Sequence, residues 1–518
     1  MICVSLGAPS MRENLAALKA SAAYVGACEL RVDLLTNHQS HNESLIESVR
    51  SFPADARQRV HGVRTVLTLR SEAEGGACAL SDADQLSFLG SVITGGWDYI
   101  DIELRLAPAS GELIRNARKS GAQVICSAHF FDGFPESPSD MLRQLHEYGD
   151  IAKLAANCRT SEELEDLLTC MQAVARDRRI VIGMGDVGAI TRVAATALGN
   201  VLTYCAPVVG TPGISGTAPG QIRCDEMYEL YREHTQSADT SIFAIVGDPV
   251  AHSRSPQYHN RLFQESGRDA VYVPMRVTDP ASLMRVVRSV GIAGLSVTVP
   301  HKRSIIEELD AVDEAVRDIG SCNTVLARDA GYVGTNTDAG GFMSPLVIRG
   351  LLPDLQEHAH QSHADIERAL VIGAGGVART VVYALCRSGC SVIIANRTDE
   401  KARDLAERAE SWSVHDGQTV RATSLSRPDL ATAAESAQLI VQTTSVGMEP
   451  YDDQSPVPAE LLRPAHLCYD LVYTPEWTKF LQDADAAGCT CISGKEMFDA
   501  QADLQARLFA HAFRPGTH

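Results

Sequence analysis

The first 235 residues repeat one pattern eight times: a short apolar, β-branched run, then an amphipathic stretch with helical spacing. The runs are ICVSL, CELRVDLL, TVLTLRS, WDYIDIELR, QVICSAH, DIAKLAA, RIVIGMG and VLTYCAP, and PGQIRCDEMYELYREH follows the last. Stretches between them, such as MRENLAALKASAAYV, SDADQLSFLGSVI and SEELEDLLTCMQAVARD, set apolar residues three and four apart. A strand that always gives way to a helix pairs with its successor by a crossover, so the strands lie parallel and the connections are right-handed. Eight units in this length predict a (β/α)8 barrel over residues 1–235, with an open doubly wound sheet as the competing arrangement.

A polar stretch, HTQSADT, then reads as a linker, and alternation restarts with SIFAIVGDP, AVYVPMRV and GLSVTVP. Another unit opens at ALVIGAGGVAR and runs through SVIIANRT, LIVQTTS and LCYDLVY, the pattern of a Rossmann-type nucleotide-binding domain. The chain is therefore expected to be α/β throughout. A second domain is predicted over 241–340, with C-terminal helices at 494–512 packing back on it, and a third over 365–493.

Charge narrows the partners. With 46 basic and 65 acidic residues the net charge is −19. Such a surface repels nucleic-acid backbones and anionic lipid, so neither nucleic acid nor a membrane is expected as a partner. No apolar run reaches the roughly 18–20 residues of a spanning helix, and MICVSLGAPS carries no export or organelle leader, which predicts a cytoplasmic protein. The 14 cysteines are scattered without a C-x2-C pair and read as buried thiols of a reducing compartment. No metal site is expected at Cys386/Cys390 or Cys489/Cys491, and His358, His360 and His363 read as a polar loop.

In a barrel the chemistry gathers at the C-terminal ends of the strands. Those ends supply Glu29, Arg31 and Asp33, then Arg70 and Glu74, then Asp101 and Glu103, then His129, Lys153 and Arg192, before the loop GTPGISGTAPGQ. In DIAKLAA, alternation aims Lys153 into the barrel. Burial beside Arg31, Arg70 or Arg192 would leave it an uncharged nucleophile able to form a Schiff base. A structural ion pair with Asp101 or Glu103 is the alternative.

The segments ELRVDLL, TLRSEAEGG, SAH, DIAKLA, TRVAATALGN and TAPGQI, in this order, resemble the type I 3-dehydroquinate dehydratase family over residues 1–235. The resemblance implies that Lys153 forms an imine with the C3 ketone of 3-dehydroquinate. It implies that His129, oriented by Glu74, removes the C2 proton and helps expel the C1 hydroxyl as water. Arg192 would hold the substrate carboxylate, with Glu29, Arg31, Arg70, Thr217 and Gln221 as further contacts. Two positions depart from the usual pattern: Phe130 follows the histidine where the family has Asp or Asn, and Thr217 stands for a common Ser.

In the second half, Gly373-Ala374-Gly375-Gly376-Val377-Ala378 sits between a strand and a helix, where glycines let a pyrophosphate approach the helix N-terminus. The next strand ends in Asn396-Arg397-Thr398 with no acid for a ribose 2′-hydroxyl, and Arg397 suits a 2′-phosphate, so NADP (NADPH) is expected rather than NAD. Before this unit lie AHSRSP (Ser253, Ser255), SVTVPHK (Thr298, Lys302), SCNTV (Asn323) and GTNTD (Asp338), a polar set suited to a polyol acid, with Lys302 and Asp338 as a proton-transfer pair. Together with YDLVY (Tyr473) and GKEMFDAQ (Gln501), these segments resemble the shikimate dehydrogenase family over 241–518.

That resemblance implies NADPH-dependent reduction of 3-dehydroshikimate to shikimate. Lys302 and Asp338 would be catalytic, with Ser253, Ser255, Thr298, Asn323, Tyr473 and Gln501 on the substrate. Gly373, Gly375, Gly376, Val377, Ala378, Thr443, Ser445 and Met497 would lie along the cofactor cleft, with Asn396, Arg397 and Thr398 at the adenosine phosphate. Ser296 stands where single-domain relatives often carry Asn. The product of the first half is the ketone the second reduces, so the two resemblances imply consecutive shikimate-pathway steps in one chain. Quinate as a substrate of the second half, or a non-catalytic half, stay open as alternatives.

Overall fold

The structure is a computed structural model that describes residues 1–36, 43–208, 217–218, 220–251, 253–353 and 366–512. These fall into two compact units, 1–301 and 302–512, and the division lies inside the expected 241–340 segment. The His358, His360 and His363 loop lies outside the described residues.

In the first unit, eight strands run β1 (Ile2–Leu6), β2 (Ala27–Arg31), β3 (Arg64–Thr68), β4 (Tyr99–Glu103), β5 (Gln123–Phe130), β6 (Ile151–Asn157), β7 (Arg179–Met184) and β8 (Thr203–Cys205). All pair in parallel in the order β7-β6-β5-β4-β3-β2-β1-β8. The predicted barrel is nearly closed. β8 has only three residues, and the approach of β7 to it is marked by the Val201 N–H donating to the Arg179 carbonyl at 3.0 Å. Strands buried on both faces explain the continuous apolar runs. One face packs on the helices, and the other fills the interior with Cys3, Val66, Tyr99, Ile125, Ile151, Ile180, Leu202 and Tyr204. Helix starts follow local chemistry: Ser10 with Glu13 and Thr160 with Glu163 form reciprocal capping boxes.

The same unit continues into a parallel ladder of β9 (Ser241–Gly247) between β10 (Ala270–Arg276) and β11 (Gly294–Val297). Its helix Pro280–Val290 packs against the barrel helix Ser161–Cys170. The Ser161 amide donates to Thr278 Oγ1 at 3.0 Å, and the amides of Thr278 and Asp279 donate to Ser161 Oγ at 3.1 and 3.4 Å. Arg285 pairs with Glu165 at 2.8 Å across the same seam.

The second unit holds β12 (Ala311–Val312), β13 (Thr324–Arg328) and β14 (Gly331–Thr335), with β14 central. It also holds a six-stranded parallel sheet of β15 (Arg368–Ile372), β16 (Ser391–Ala395), β17 (Val420–Thr423), β18 (Leu439–Gln442), β19 (Leu467–Asp470) and β20 (Thr490–Ile492). Its order, β17-β16-β15-β18-β19-β20, reverses between β15 and β18, the doubly wound arrangement that opens a ligand crevice at the strand ends. The helix Gly494–Ala510 packs along the helix Thr337–Ile348, where a Cβ on Gly341 would meet Gln501 Cβ at 2.4 Å. No helix among the described residues is long and apolar enough to cross a membrane. All 14 cysteines are free thiols, and no group of ligands for a metal ion occurs among the described residues.

Candidate active sites

The barrel interior brings together every residue expected of the first site. Glu29, Arg31, Arg70, Glu74, His129, Lys153, Arg192, Thr217 and Gln221 line one cavity. Lys153 is the third residue of β6, in register with Ser127 on β5, so strand alternation turns its side chain inward. Its Nζ donates to Asp101 Oδ2 at 2.9 Å, stands 3.8 Å from Glu29 Oε1, and lies 4.2 Å from the Tyr204 ring centroid. The neighbours of the amine are thus carboxylates and a ring face rather than the arginines the linear order suggested. The ion pair with Asp101, the alternative the sequence left open, is present.

Asp101 is the hub. It also accepts from Arg70 Nη2 at 2.9 Å and from Ser127 Oγ at 2.5 Å. Burial opposes its charge, but Arg70 and Lys153 hold its carboxyl well below the usual carboxylate range. Arg70 in turn reaches Glu74 at 3.2 Å and Glu103 at 3.3 Å. Burial alone would weaken this guanidinium, but the carboxylates of Asp101, Glu74 and Glu103 overcome it and raise its ionisation. Glu29 accepts from Ser5 Oγ and Thr68 Oγ1, each at 2.9 Å, and Arg31 clamps Asp33 at 2.9 and 2.7 Å. Gln221 accepts from the Thr217 amide at 2.7 Å. Burial lowers Arg192 to about 10.

His129 Nδ1 sits 2.8 Å from Glu74 Oε2. Burial pushes Glu74 up to about 8 despite Arg70, and burial with the charges of Arg70 and Lys153 pulls His129 well down. The imidazole is therefore neutral, and the pair keeps a proton that it releases near pH 8. Phe131 stacks on His129 with centroids 6.4 Å apart.

In the second unit, Lys302 Nζ donates to Asp338 Oδ2 at 2.6 Å. Asn323 Nδ2 donates to Asp338 Oδ1 at 2.8 Å, to Thr337 Oγ1 at 2.9 Å and to Gln501 Oε1 at 3.3 Å. Asn336 caps the helix that carries Asp338, accepting from the amides of Asp338 and Ala339. Lys302, Asn323, Asp338 and Gln501 thus form one hydrogen-bonded cluster. Tyr473 is exposed, its ring 5.4 Å from that of Phe498. Ser253, Ser255 and Thr298 belong to the first unit, where the Ser255 amide donates to Ser253 Oγ at 3.2 Å and the buried Tyr272 hydroxyl bonds Ser296.

The glycine segment follows β15 at the strand-order reversal. Gly373 has φ of 120°, and a Cβ there would meet Thr443 Oγ1 at 2.4 Å. That threonine is held by the Ile372 carbonyl at 2.7 Å. Gly375 caps the helix Gly376–Arg387, and the space where Cβ atoms of Gly375 and Gly376 would stand is open. This cradle, helix N-terminus and open face fit a pyrophosphate. Val377 is half-buried and Ala378 buried in the core. At the end of β16, Asn396 Nδ2 donates to the Thr398 carbonyl at 2.9 Å, and Arg397 and Thr398 are exposed. Ser445 is exposed after β18, whereas Met497 is buried in the apolar cluster with Phe342 and Tyr469.

Ser5, Thr68, Ser127 and Tyr204 complete the first cavity's polar lattice without having stood out in the sequence. They are small or aromatic residues inside apolar runs, and only the inward parity of their strands could have found them.

Three family profiles cover most of the chain: type I 3-dehydroquinase over residues 2–238, the shikimate dehydrogenase substrate binding domain over 245–325, and shikimate/quinate 5-dehydrogenase over 355–456. The NADP(+) shikimate dehydrogenase of Moorella thermoacetica is 39% identical over 50% of this chain and 84% of its own. A crystal structure of shikimate 5-dehydrogenase from Thermus thermophilus, in complex with NADP(H) and shikimate, is 35% identical, covering 53% of this chain and 95% of that one with a TM-score of 0.44. The chloroplastic bifunctional 3-dehydroquinate dehydratase/shikimate dehydrogenase of Arabidopsis thaliana is 31% identical over 86% of this chain and 72% of its own length. With a dehydratase profile on the barrel, dehydrogenase profiles on the remainder and a relative that spans both, the chain belongs to the family of bifunctional 3-dehydroquinate dehydratase/shikimate dehydrogenases.

Proposed function

We propose that the barrel dehydrates 3-dehydroquinate through an imine on Lys153 and that the rest of the chain reduces the resulting 3-dehydroshikimate with NADPH. The observation that carries the first step is a buried lysine amine lining the same cavity as a histidine–carboxyl pair. The Lys153 ammonium passes a proton to a neighbouring carboxylate, for which Glu29 is in reach. The free amine adds to C3, the carbonyl oxygen leaves as water, and the cationic imine acidifies C2. With Glu74 ionised and accepting Nδ1–H, His129 Nε2 takes the C2 proton. It returns a proton to the C1 hydroxyl as that bond breaks, so the two steps together release water. Hydrolysis of the imine frees Lys153. Arg192, Arg31, Arg70, Glu29, Thr217 and Gln221 are the proposed contacts to carboxylate and hydroxyls.

In the second reaction Lys302 Nζ holds the proton that the reduced ketone oxygen acquires, and Asp338 keeps that ammonium in place. Asn323 and Gln501 extend the cluster, and Ser253, Ser255 and Thr298 carry hydroxyls of the kind that recognise a polyol acid. The glycine cradle and Arg397 would hold the phosphates of the dinucleotide, which supplies the hydride when bound. Three functional segments follow: 1–235, 241–340 together with 494–512, and 365–493. We also propose small-molecule partners only and a reducing, cytoplasmic setting, supported by the net charge and the free thiols. Recovery in a membrane or organelle fraction would overturn the setting.

The test is incubation with 3-dehydroquinate and NADPH, followed by nicotinamide absorbance. Absorbance should fall in the intact protein and hold steady in Lys153→Ala, while Lys153→Ala still oxidises NADPH with 3-dehydroshikimate. Consumption of NADPH from 3-dehydroquinate by Lys153→Ala would refute the assignment.

A further inference from the structure

The dehydratase cavity holds a group that the reaction above leaves unused. Tyr204 stands on β8, in register with Cys3 of β1, and is 5% exposed. Its ring lies beneath the Lys153 amine at 4.2 Å, a cation–π contact. Its hydroxyl is buried and has no hydrogen-bond partner among the described residues, although the side chain lines the cavity together with Ser5, Glu29, Arg192 and Gln221.

Ring and hydroxyl have separate consequences. A phenylalanine would supply the same packing and the same face to the amine. The hydroxyl adds only a polar atom taken out of water, and leaving such an atom unpaired is unfavourable. Three of its polar neighbours are engaged with one another or with Thr68 and Thr217: Ser5 with Glu29, Glu29 with Thr68, Gln221 with the Thr217 amide. The phenol stays protonated, since burial first and the Glu29 carboxylate second push its ionisation up. It is therefore able both to donate and to accept. What enters this cavity is a ring acid whose rim is hydroxyls and a ketone.

Resting on the dehydratase reading, we propose that the Tyr204 hydroxyl contacts the substrate, hydrogen-bonding a ring oxygen of the polyhydroxylated acid as its ketone is brought to Lys153. The side chain thus has two faces with two tasks, a ring that seats the amine and a hydroxyl that meets the substrate.

Tyr204→Phe tests this, because it removes the hydroxyl and keeps the ring. The KM for 3-dehydroquinate should rise about three- to tenfold, the effect of one hydrogen bond, with a smaller change in kcat. The thermal midpoint should hold or rise, since a buried unpaired hydroxyl is gone. An unchanged KM overturns the proposal. So does a raised KM accompanied by a lowered midpoint, because the hydroxyl would then be serving the fold. Borohydride added during turnover separates this from the reading beneath it. Tyr204→Phe labelled at Lys153 with an unchanged KM refutes only the Tyr204 contact, whereas turnover without labelling refutes the imine itself.

Discussion

Replacing Glu74 by Gln removes a charge and leaves the shape, so its effect can be worked from the geometry. The carboxylate lies 2.8 Å from His129 Nδ1 and 3.2 Å from Arg70 Nη1. Two unit charges about 4 Å apart interact by about 4 kcal/mol at an effective dielectric near 20. If the Arg70 guanidinium offsets about half of that, about 2 kcal/mol of support for the forming imidazolium is lost, or roughly thirtyfold in kcat/KM. The pH dependence is the sharper signature. Below about 8 Glu74 keeps its proton and donates to Nδ1, so Nε2 carries hydrogen and is no base. As pH rises through about 8 the carboxyl ionises, Nδ1–H becomes the donor, and the Nε2 lone pair is exposed. Dehydration followed by ultraviolet absorbance of the conjugated enone should therefore show kcat/KM climbing through about pH 8 in the native protein. In Glu74→Gln that climb should vanish along with the thirtyfold loss. A variant that keeps the same ascending limb would show that the titrating proton belongs elsewhere.

Other expectations concern the second activity. Asp338→Asn removes the 2.6 Å carboxylate from Lys302 and should lower kcat for 3-dehydroshikimate reduction by about 10²–10⁴-fold, with dehydration intact in a parallel assay. Arg397→Ala should raise the KM for NADPH by roughly ten- to a hundredfold, as loss of about 1.5–3 kcal/mol of charged hydrogen bonding requires, while the KM for NADH stays put. An equal rise for both cofactors would discard the 2′-phosphate role. Gly373→Ala forces a side chain onto a backbone with φ of 120° and to within 2.4 Å of Thr443 Oγ1. NADPH binding by fluorescence should be lost in that variant.

Much of the architecture is legible in strand–helix alternation, because a parallel sheet leaves few other ways to connect such elements. The cavity residues were legible for a related reason: polar residues at the ends of apolar strands in a barrel all face one mouth. What alternation does not carry is distance around the barrel. Lys153 on β6 meets Asp101 on β4, across an intervening strand, because Ser127 between them is short enough to leave the path clear. Linear order gives no weight to that serine. Nor does composition distinguish Tyr204 from any other core aromatic, since its meaning comes from an amine above its ring and a hydroxyl without a partner among the described residues. Met497 shows the converse: its family context suggested the cofactor cleft, and its apolar packing with Phe342 and Tyr469 is a feature that linear order does not display.

The exchange of hydroxyls between Ser161 and Thr278 bears on how such a protein could evolve. The first amide of one helix and the two amides just before the other borrow acceptors encoded more than a hundred codons away. A gene cleaved between them would hand three amide hydrogens to solvent, and deuterium uptake at Ser161, Thr278 and Asp279 would quicken in the resulting pair of polypeptides. Fusion here has been written into the backbone beside two helix starts, so reversing it would demand new acceptors for those amides and not merely a new stop codon.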